Sequence, residues 1–589
     1  MRGYTETMQA RMPLGDFLVA YLRRLGVKRI FGIPGDLVLR LFSQLGDRGR
    51  WKIVTLSHEP SVGFAADGYA RATGSIGVAC VTYGAGGHNM VNAVAGSYAE
   101  HVPVLVISGG PGDEERKFGT LIHHQARAIE SQLNIYREVT AAARLVDDPR
   151  TAAEQIDDVV RTMWREQRPG YLEIHRDMVD RVIEVPRAIA DASRPLELEH
   201  SNPHKVREAA CDVAARLDRA QRPVVIVGIQ TFRFKAQREV LALCERLGVP
   251  VLSTMLSKGA VPMDHPLYMG VYMGAHSPPA IRKRVDEADL VLDLGSMLTD
   301  IGSVKQSPMS ERSIRAVDRR VDVSFHSYTE VGLRDFVRAL REQKPRSRRE
   351  KVTYHDNLPA PPRWLAELPP RGVRRGAAKP PRPPRAGARG GTVRVAEMLQ
   401  VLNRFLEGRR DFVVVAESGD MLFAGIDVRV AGKAAYFAQG FYASMGFGVP
   451  GAFGIELGLG KRPILLSGDG AFQMTGPEIA QARRHGLRPI VLVTNNGGWG
   501  IFRPVVKRQS ILEIPPWPYA ELARLWGGQG ERVTSGPELL AALERAERAS
   551  SFTLVEVMIG RTDLSPLSRK YIRFSSRQGQ AKPASRRRR

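Results

Sequence analysis

Cysteine is scarce in this chain. Cys80, Cys211 and Cys244 are the only three in 589 residues. They are odd in number and far apart, so they specify neither a disulfide framework nor a zinc site, and a reducing cytoplasm fits them. The N-terminal MRGYTETMQARMPLGDF has no apolar core of the kind a signal peptide carries. Long hydrophobic runs are missing too. The nearest, Ala434 to Gly460, is broken by Gln439, Ser444, Pro450 and Glu456 and holds seven glycines. A membrane span needs about 20 predominantly apolar residues. The segment therefore reads as a loop and a buried helix packed close to other backbone or a cofactor, and no membrane partner is expected. Acidic residues are outnumbered, 62 against 86 basic, which leaves a formal charge of +24. Such a balance can signal nucleic-acid binding. Here the excess gathers in Arg371 to Arg389 and in the tail ending Ala584-Ser-Arg-Arg-Arg-Arg589. Both are poor in apolar residues and read as flexible, solvated segments, so no nucleic acid is expected.

The chain is too long for one core and points to about three domains. Three α/β blocks alternate strand-like and helix-like stretches, as in parallel sheets. The first spans Pro13 to Val185, with strands expected at Val27–Phe31, Ile53–Leu56, Gly77–Thr82 and Val104–Ser108. Ile183 to Pro203 reads as a polar connection. The second spans His204 to Gln343, with strands at Pro223–Gly228, Pro250–Ser253 and Asp289–Gly295. Gly228 follows a strand as in dinucleotide folds, but no GxGxxG follows. Lys344 to Gly391 reads as a Pro/Arg-rich linker. The third block spans Thr392 to Gly560 and opens with a helix and the strand Asp411–Ala416. Gln578 to Arg589 is a basic tail. The expected fold is thus three doubly wound parallel-sheet domains. Blocks one and three are similar in size, with no evident sequence repeat.

The strongest chemical signal is Gly468-Asp469-Gly470 with Asn495-Asn496. Arg462-Pro-Ile-Leu-Leu-Ser467 reads as a strand, Glu478 to Arg484 as a helix, and Arg488-Pro-Ile-Val-Leu-Val-Thr494 as a second strand. Both strand ends carry oxygen ligands, where parallel sheets gather their ligands. Glycines beside an aspartate admit a phosphate close to the backbone, and the following helix offers free N–H groups. Asp469, Asn496 and a loop carbonyl can hold Mg²⁺, a hard ion that prefers oxygen and bound phosphate. The plain alternative is Asp469 as an ordinary helix cap.

Further segments point the same way. They are Phe31-Gly-Ile-Pro-Gly-Asp36, Ser57-His-Glu-Pro-Ser-Val-Gly-Phe-Ala-Ala-Asp-Gly-Tyr-Ala-Arg71, Val81-Thr-Tyr-Gly-Ala-Gly86, Gly96-Ser-Tyr-Ala-Glu100 and His123-His124. With Gly468-Asp469-Gly470 and the Asn pair, they make the chain resemble the thiamine diphosphate-dependent 2-keto acid decarboxylases over nearly its whole length. That group includes pyruvate, indolepyruvate and phenylpyruvate decarboxylases. The adjacent His pair separates them from acetolactate synthases and benzoylformate decarboxylases. The resemblance implies thiamine diphosphate and Mg²⁺ as cofactors. It implies that Glu59 is the carboxylate on N1′ of the pyrimidine, and that Asp36, His123 and His124 form an acid–base cluster. Ser418, Gly419, Asp420, Ala443, Met445, Gly468, Asp469, Gly470, Ala471 and Asn496 would contact the cofactor, with Met445 wedged between its two rings. Asp469, Asn496 and the Gly498 carbonyl would be the magnesium ligands. Thr82, Trp499 and Phe502 would line the substrate pocket. In this family Glu59 acts on a cofactor held by the third block of a partner chain, so a homodimer is the minimal active unit and a homotetramer is expected.

One departure bears on the substrate. Pyruvate decarboxylases carry a catalytic Glu where this chain has Phe502. Bacterial-type phenylpyruvate decarboxylases also lack it and carry a Trp at the position of Trp499. Asp300, in Gly295-Ser-Met-Leu-Thr-Asp300, is the candidate substitute, against the plain reading of a strand-end turn. The expected reaction is non-oxidative decarboxylation of phenylpyruvate or indole-3-pyruvate to the aldehyde and CO₂. An acetolactate-synthase-like carboligase, or a cofactor-binding homologue with little turnover, are the alternatives.

Overall fold

The computed structural model describes residues 10–118, 121–191, 201–303, 311–369, 391–432 and 434–579. The Arg371–Arg389 segment and most of the basic tail lie outside them. The chain divides into two compact units. One takes residues up to 202 together with 232–235 and 449–460; the other takes 203–231, 236–448 and 461 onward.

The first unit is built on a six-stranded parallel sheet. Its spatial order is Val54–Thr55, Phe31–Gly32, Gly77–Val81, Val104–Gly110, Gly170–His175 and Ala142–Val146. Gly77–Val81 and Val104–Gly110 are buried at every residue, which is why they read as unbroken apolar runs with no alternation. The first two strands are only two residues long, shorter than the stretches expected from sequence. Val182–Val185, expected to be part of a polar connection, instead pairs antiparallel with Ala10–Pro13.

The helix Glu59–Thr73 starts with Pro60 in its first turn and stops at Gly74, whose φ of 61° suits a residue without Cβ. Its small residues admit another backbone. A Cβ on Gly68 would stand 2.3 Å from the Gly451 carbonyl oxygen, and one on Gly454 only 1.9 Å from that of Ala65. The glycine-rich helix Gly448–Leu459 therefore packs backbone to backbone here, as its composition suggested. In sequence it lies inside the third block, and through these close contacts residues 449–460 group with the first unit.

The second unit carries two sheets. One runs Tyr268–Val271, Val251–Ser253, Pro223–Val227, Leu290–Leu294, Ser313–Val317, Arg320–Val323 and His326–Thr329, parallel except for its last two strands. The other is wholly parallel, in the order Tyr436–Ala438, Phe412–Ala416, Arg462–Gly468, Ile490–Asn495, Thr553–Met558 and Gln529–Val533. Numbered along the chain, this last order is 2-1-3-4-6-5, identical to that of the first unit's sheet. The two blocks share a topology that no sequence repeat announced. Three doubly wound α/β sheets thus make up the fold. The middle one has its crevice closed, since a Cβ on Gly228 would lie 2.1 Å from Gly295.

Part of the segment read as linker is packed. Arg348 and His355 donate backbone hydrogen bonds to Leu247 and Met269. Leu365 is buried among the third block's core side chains, with Leu358, Trp364 and Leu368 against it. No helix among the described residues is long and apolar enough to cross a membrane.

Because Gly454 faces a backbone atom that cannot move aside, Gly454→Val should destabilise the protein by roughly 1–3 kcal/mol. Gly46, in the helix Leu39–Asp47, has only the tip of Ile53 near its Cβ position, at 3.9 Å. Gly46→Ala should be neutral or slightly stabilising. Urea unfolding midpoints of the two variants check the contrast.

Candidate active site

In a sheet of order 2-1-3, successive connections leave the first and third strands in opposite directions, and a crevice opens at their carboxyl ends. In the third block that crevice lies between Phe412–Ala416 and Arg462–Gly468. A cavity of about 350 Å³ occupies it, lined by Ser418, Gly419, Asp420, Ala443, Met445, Gly468, Asp469, Gly470, Ala471, Asn496, Gly498, Trp499 and Phe502. Every cofactor and metal candidate of this block reaches the same cavity.

The helix begins at Asp469 itself, directly after the strand, and runs to Thr475; a 3-10 turn follows, and α-helix resumes only at Ala482. The Asp469 side chain does more than cap. Its Oδ1 accepts the Gly470 N–H at 2.9 Å, and Oδ2 accepts those of Asn496, Gly497 and Gly498 at 3.1, 2.7 and 3.2 Å. Burial still pushes its carboxyl above the usual range, against the pull of these four donors. Asn496 Oδ1 is buried and accepts no hydrogen bond. An oxygen-only donor set with one orphaned oxygen fits a hard cation. Gly470 leaves room for Trp499, whose ring would lie 2.5 Å from a Cβ there. Ala443 holds φ at 54°, in the left-handed region that non-glycine residues seldom occupy.

Asp420 lines the cavity, but its carboxylate is turned elsewhere. It accepts the Ser565 N–H at 3.1 Å and the Ser565 hydroxyl at 2.7 Å. Its side chain thereby anchors the start of the helix Pro566–Gly579. That helix sends Tyr571 into the cavity lining, with its ring 5.0 Å from Phe423. Asp300 is exposed and starts a short helix, accepting the Ile301 N–H at 3.0 Å; Ile301, not Asp300, lines the cavity. Phe502 is 51% exposed at the cavity wall.

The first unit repeats the crevice between Phe31–Gly32 and Gly77–Val81. Asp36 follows one strand and Thr82 the other, and the Thr82 hydroxyl donates to Asp36 at 3.3 Å. His123 Nε2 hydrogen-bonds Asp36, and His124 Nε2 stands 3.7 Å from it. The two imidazoles meet edge to face at 4.8 Å. Partial burial works to raise the Asp36 carboxyl. The hydrogen bonds from His123 and the Leu37 N–H, with both imidazoles, outweigh it and hold the carboxyl below its usual range. His124 has a φ of 69°, and its carbonyl would lie 2.1 Å from a Cβ on Gly84. Glu59 is half-buried at the start of its helix and accepts a hydrogen bond from Asn89 Nδ2 at 2.8 Å. A Cβ on Gly86 would be 3.1 Å from Thr82 and 3.6 Å from Glu59 Oε1, so that glycine lets both approach one spot.

Three family models match in chain order. The N-terminal TPP-binding domain of thiamine pyrophosphate enzymes covers residues 12–135, the central domain 211–330 and the C-terminal TPP-binding domain 418–557. The chain belongs to the thiamine pyrophosphate enzymes. Among curated relatives, indole-3-pyruvate decarboxylase of Azospirillum brasilense is 36% identical over 96% of this chain and 99% of its own length. Pyruvate decarboxylase isozyme 3 of Saccharomyces cerevisiae is 28% identical, over 88% of this chain and 90% of its own. Pyruvate decarboxylase 1 of Pisum sativum is 29% identical, over 94% and 91%. The chain is a thiamine diphosphate-dependent 2-keto acid decarboxylase.

Two buried charges behind the crevice escaped the sequence reading. Glu417 directly follows the strand Phe412–Ala416 and accepts the N–H groups of Ser418 at 2.8 Å and Gly448 at 2.6 Å. Burial pushes its carboxyl up to about 7. It ties the loop after one strand to the start of the glycine-rich helix. An acid closing an apolar strand was its only sequence signal. Lys258 had none. Its ammonium is buried and donates to the carbonyls of Gly425, Ile426 and Val428 at 2.5, 2.7 and 2.5 Å. It thereby caps the C-terminus of the helix Asp420–Ile426, the end that favours a cation. The face of Tyr436 lies 4.6 Å away. Burial works to discharge Lys258, while Asp427 and Asp356 support its charge. Lys258→Met would leave three carbonyls without their donor. The expected loss is roughly 2–4 kcal/mol of stability, measured by urea unfolding, together with weaker thiamine diphosphate binding by fluorescence titration.

Proposed function

We propose that the enzyme decarboxylates an aromatic 2-keto acid, phenylpyruvate or indole-3-pyruvate, to the aldehyde and CO₂, with Mg²⁺ holding the cofactor's diphosphate. The observation that carries the substrate choice is the cavity wall beside Gly470. Trp499 stands there against Gly470, and Phe502 lines the same cavity. The relative named an indole-3-pyruvate decarboxylase supports the same choice.

Thiamine diphosphate, when bound, supplies the electron sink for carboxylate loss. The protein's part is to orient groups and move protons. Asp469, Asn496 and the Gly498 carbonyl hold the metal. Ser418, Gly419, Gly468, Gly470 and Ala471 let the diphosphate approach the backbone, with Asp420 contributing the start of its helix. Ala443 and Met445 position the thiamine rings. Glu59, steadied by Asn89, holds a proton at the pyrimidine nitrogen. Asp36, His123 and His124 share a proton that can be passed to the carbon that has lost CO₂, with Thr82 orienting Asp36. Trp499 and Phe502 exclude water around the substrate's ring. The acid–base residues lie in one unit and the cofactor crevice in the other, and a homodimer is the minimal active assembly in this reading. The small-molecule substrate and the scarcity of cysteine fit a cytoplasmic enzyme.

Glu59→Gln should leave folding intact and reduce kcat/KM by about 10²–10⁴-fold, the range of a general acid–base group. Steady-state kinetics and circular dichroism on the purified variant check both halves; a rate near wild type would remove Glu59 from its role.

Burying a phenyl ring against Phe502 and Trp499 is worth about 1.5–3 kcal/mol. Phenylpyruvate should therefore exceed pyruvate in kcat/KM by about ten- to a hundredfold. A competition assay at equal concentrations reads the order directly. Pyruvate consumed first would overturn the aromatic assignment and leave the decarboxylase intact.

A further inference from the structure

We propose that the carboxyl ends of the strands Val104–Gly110 and Gly170–His175 carry a site for a divalent transition cation, with Asp113, His175 and Asp177 as its protein ligands. One ligand atom from each lies within 4.8 Å of the other two. The decisive residue is His175. It is 1% exposed, and its ring makes no well-aligned hydrogen bond, Nε2 having no partner at all. Buried polar side chains almost always find partners, so an imidazole whose Nε2 has none, and whose Nδ1 reaches only the Asp113 carboxylate, calls for an explanation. His175 Nδ1 stands 3.4 Å from Asp113 Oδ1, and Asp177 Oδ1 is likewise buried without a partner.

The other oxygens of the two carboxylates are spoken for. Arg181 Nη2 donates to Asp113 Oδ2 at 2.9 Å and to Asp177 Oδ2 at 2.7 Å, and the Asp113 N–H faces Asp177 Oδ2 at 3.3 Å. Arg181 thus fixes the outer edge of both carboxylates and leaves Asp113 Oδ1 beside the imidazole and Asp177 Oδ1 without a donor. A cation would share the carboxylates with this arginine, whose side chain is 38% exposed and able to withdraw. One imidazole and two carboxylates, completed by water, suit Zn²⁺, Mn²⁺ or Co²⁺. Mg²⁺ and Ca²⁺ prefer oxygen alone, so this site is chemically distinct from the one at Asp469. The segment that starts at Gly112 leads on to His123 and His124. A cation here would pin its first turn, Asp113–Lys117, to the end of the strand Gly170–His175.

The test uses the tag-free, full-length protein saturated with thiamine diphosphate and Mg²⁺. It is dialysed against Zn²⁺, its bound zinc is counted by mass spectrometry, and Co²⁺ absorption serves as a parallel probe. Wild type should retain one zinc per chain that His175→Ala and Asp177→Asn each weaken by at least about tenfold, the least that disturbing a metal's immediate surroundings costs. The exposed cluster of Asp36, His123 and His124 is the competing site, and a His123→Ala/His124→Ala variant should keep the zinc. Should His175→Ala fail to fold, Asp177→Asn, at a partly exposed position, gives the same reading. No retained zinc, or zinc lost with His123 and His124 but indifferent to His175 and Asp177, would overturn the site.

Discussion

The reversal of strand order in a parallel sheet is the constraint on which the rest of this molecule depends. Where the second strand lies on one side of the first and the third on the other, the connecting segments diverge and leave backbone exposed at the strand ends. The chain uses this geometry in its first and third blocks, with the same order each time. In one crevice it places Asp36 and Thr82, in the other Ser418, Asp469 and Gly470. The middle block has a reversal too, but Gly228 and Gly295 close it by direct backbone contact.

What keeps those crevices in shape is largely buried backbone satisfaction. Asp469 gathers four N–H groups from two loops, so the two strand ends that it spans are held as one piece. Glu417 does the same for the next pair of loops. Lys258 answers with the opposite charge, taking three carbonyls at the far end of the helix that opens at Asp420. In each case backbone dipoles satisfy a buried ionisable side chain, joined for Lys258 by the charges of Asp427 and Asp356. Such groups are costly to bury unless they are fully hydrogen-bonded, which ties their placement to the loops that satisfy them. The left-handed conformations of Ala443 and His124 add local strain at two of the proposed functional positions.

Much of this was legible in the sequence because it is local. A strand, a Gly-Asp-Gly turn and a helix start are contiguous, and so are a strand and its Asn pair. Backbone stereochemistry at each turn then dictates which way the oxygens face. Apolar strands flanked by glycine announced the parallel sheets, and seven glycines between Ala434 and Gly460 announced close backbone packing. The tertiary structure decided what distance along the chain conceals. It packed residues 449–460 backbone to backbone against the helix Glu59–Thr73, whose small residues admit so close an approach. It turned the Asp420 carboxylate to Ser565, because a hydroxyl and an N–H 145 residues away offer better partners than the cavity does. It set Lys258 beneath a helix from another block, and it brought His123 to Asp36 across 87 residues. No pattern in the sequence encodes such meetings, since they follow from which helix ends and loops the sheets happen to leave side by side.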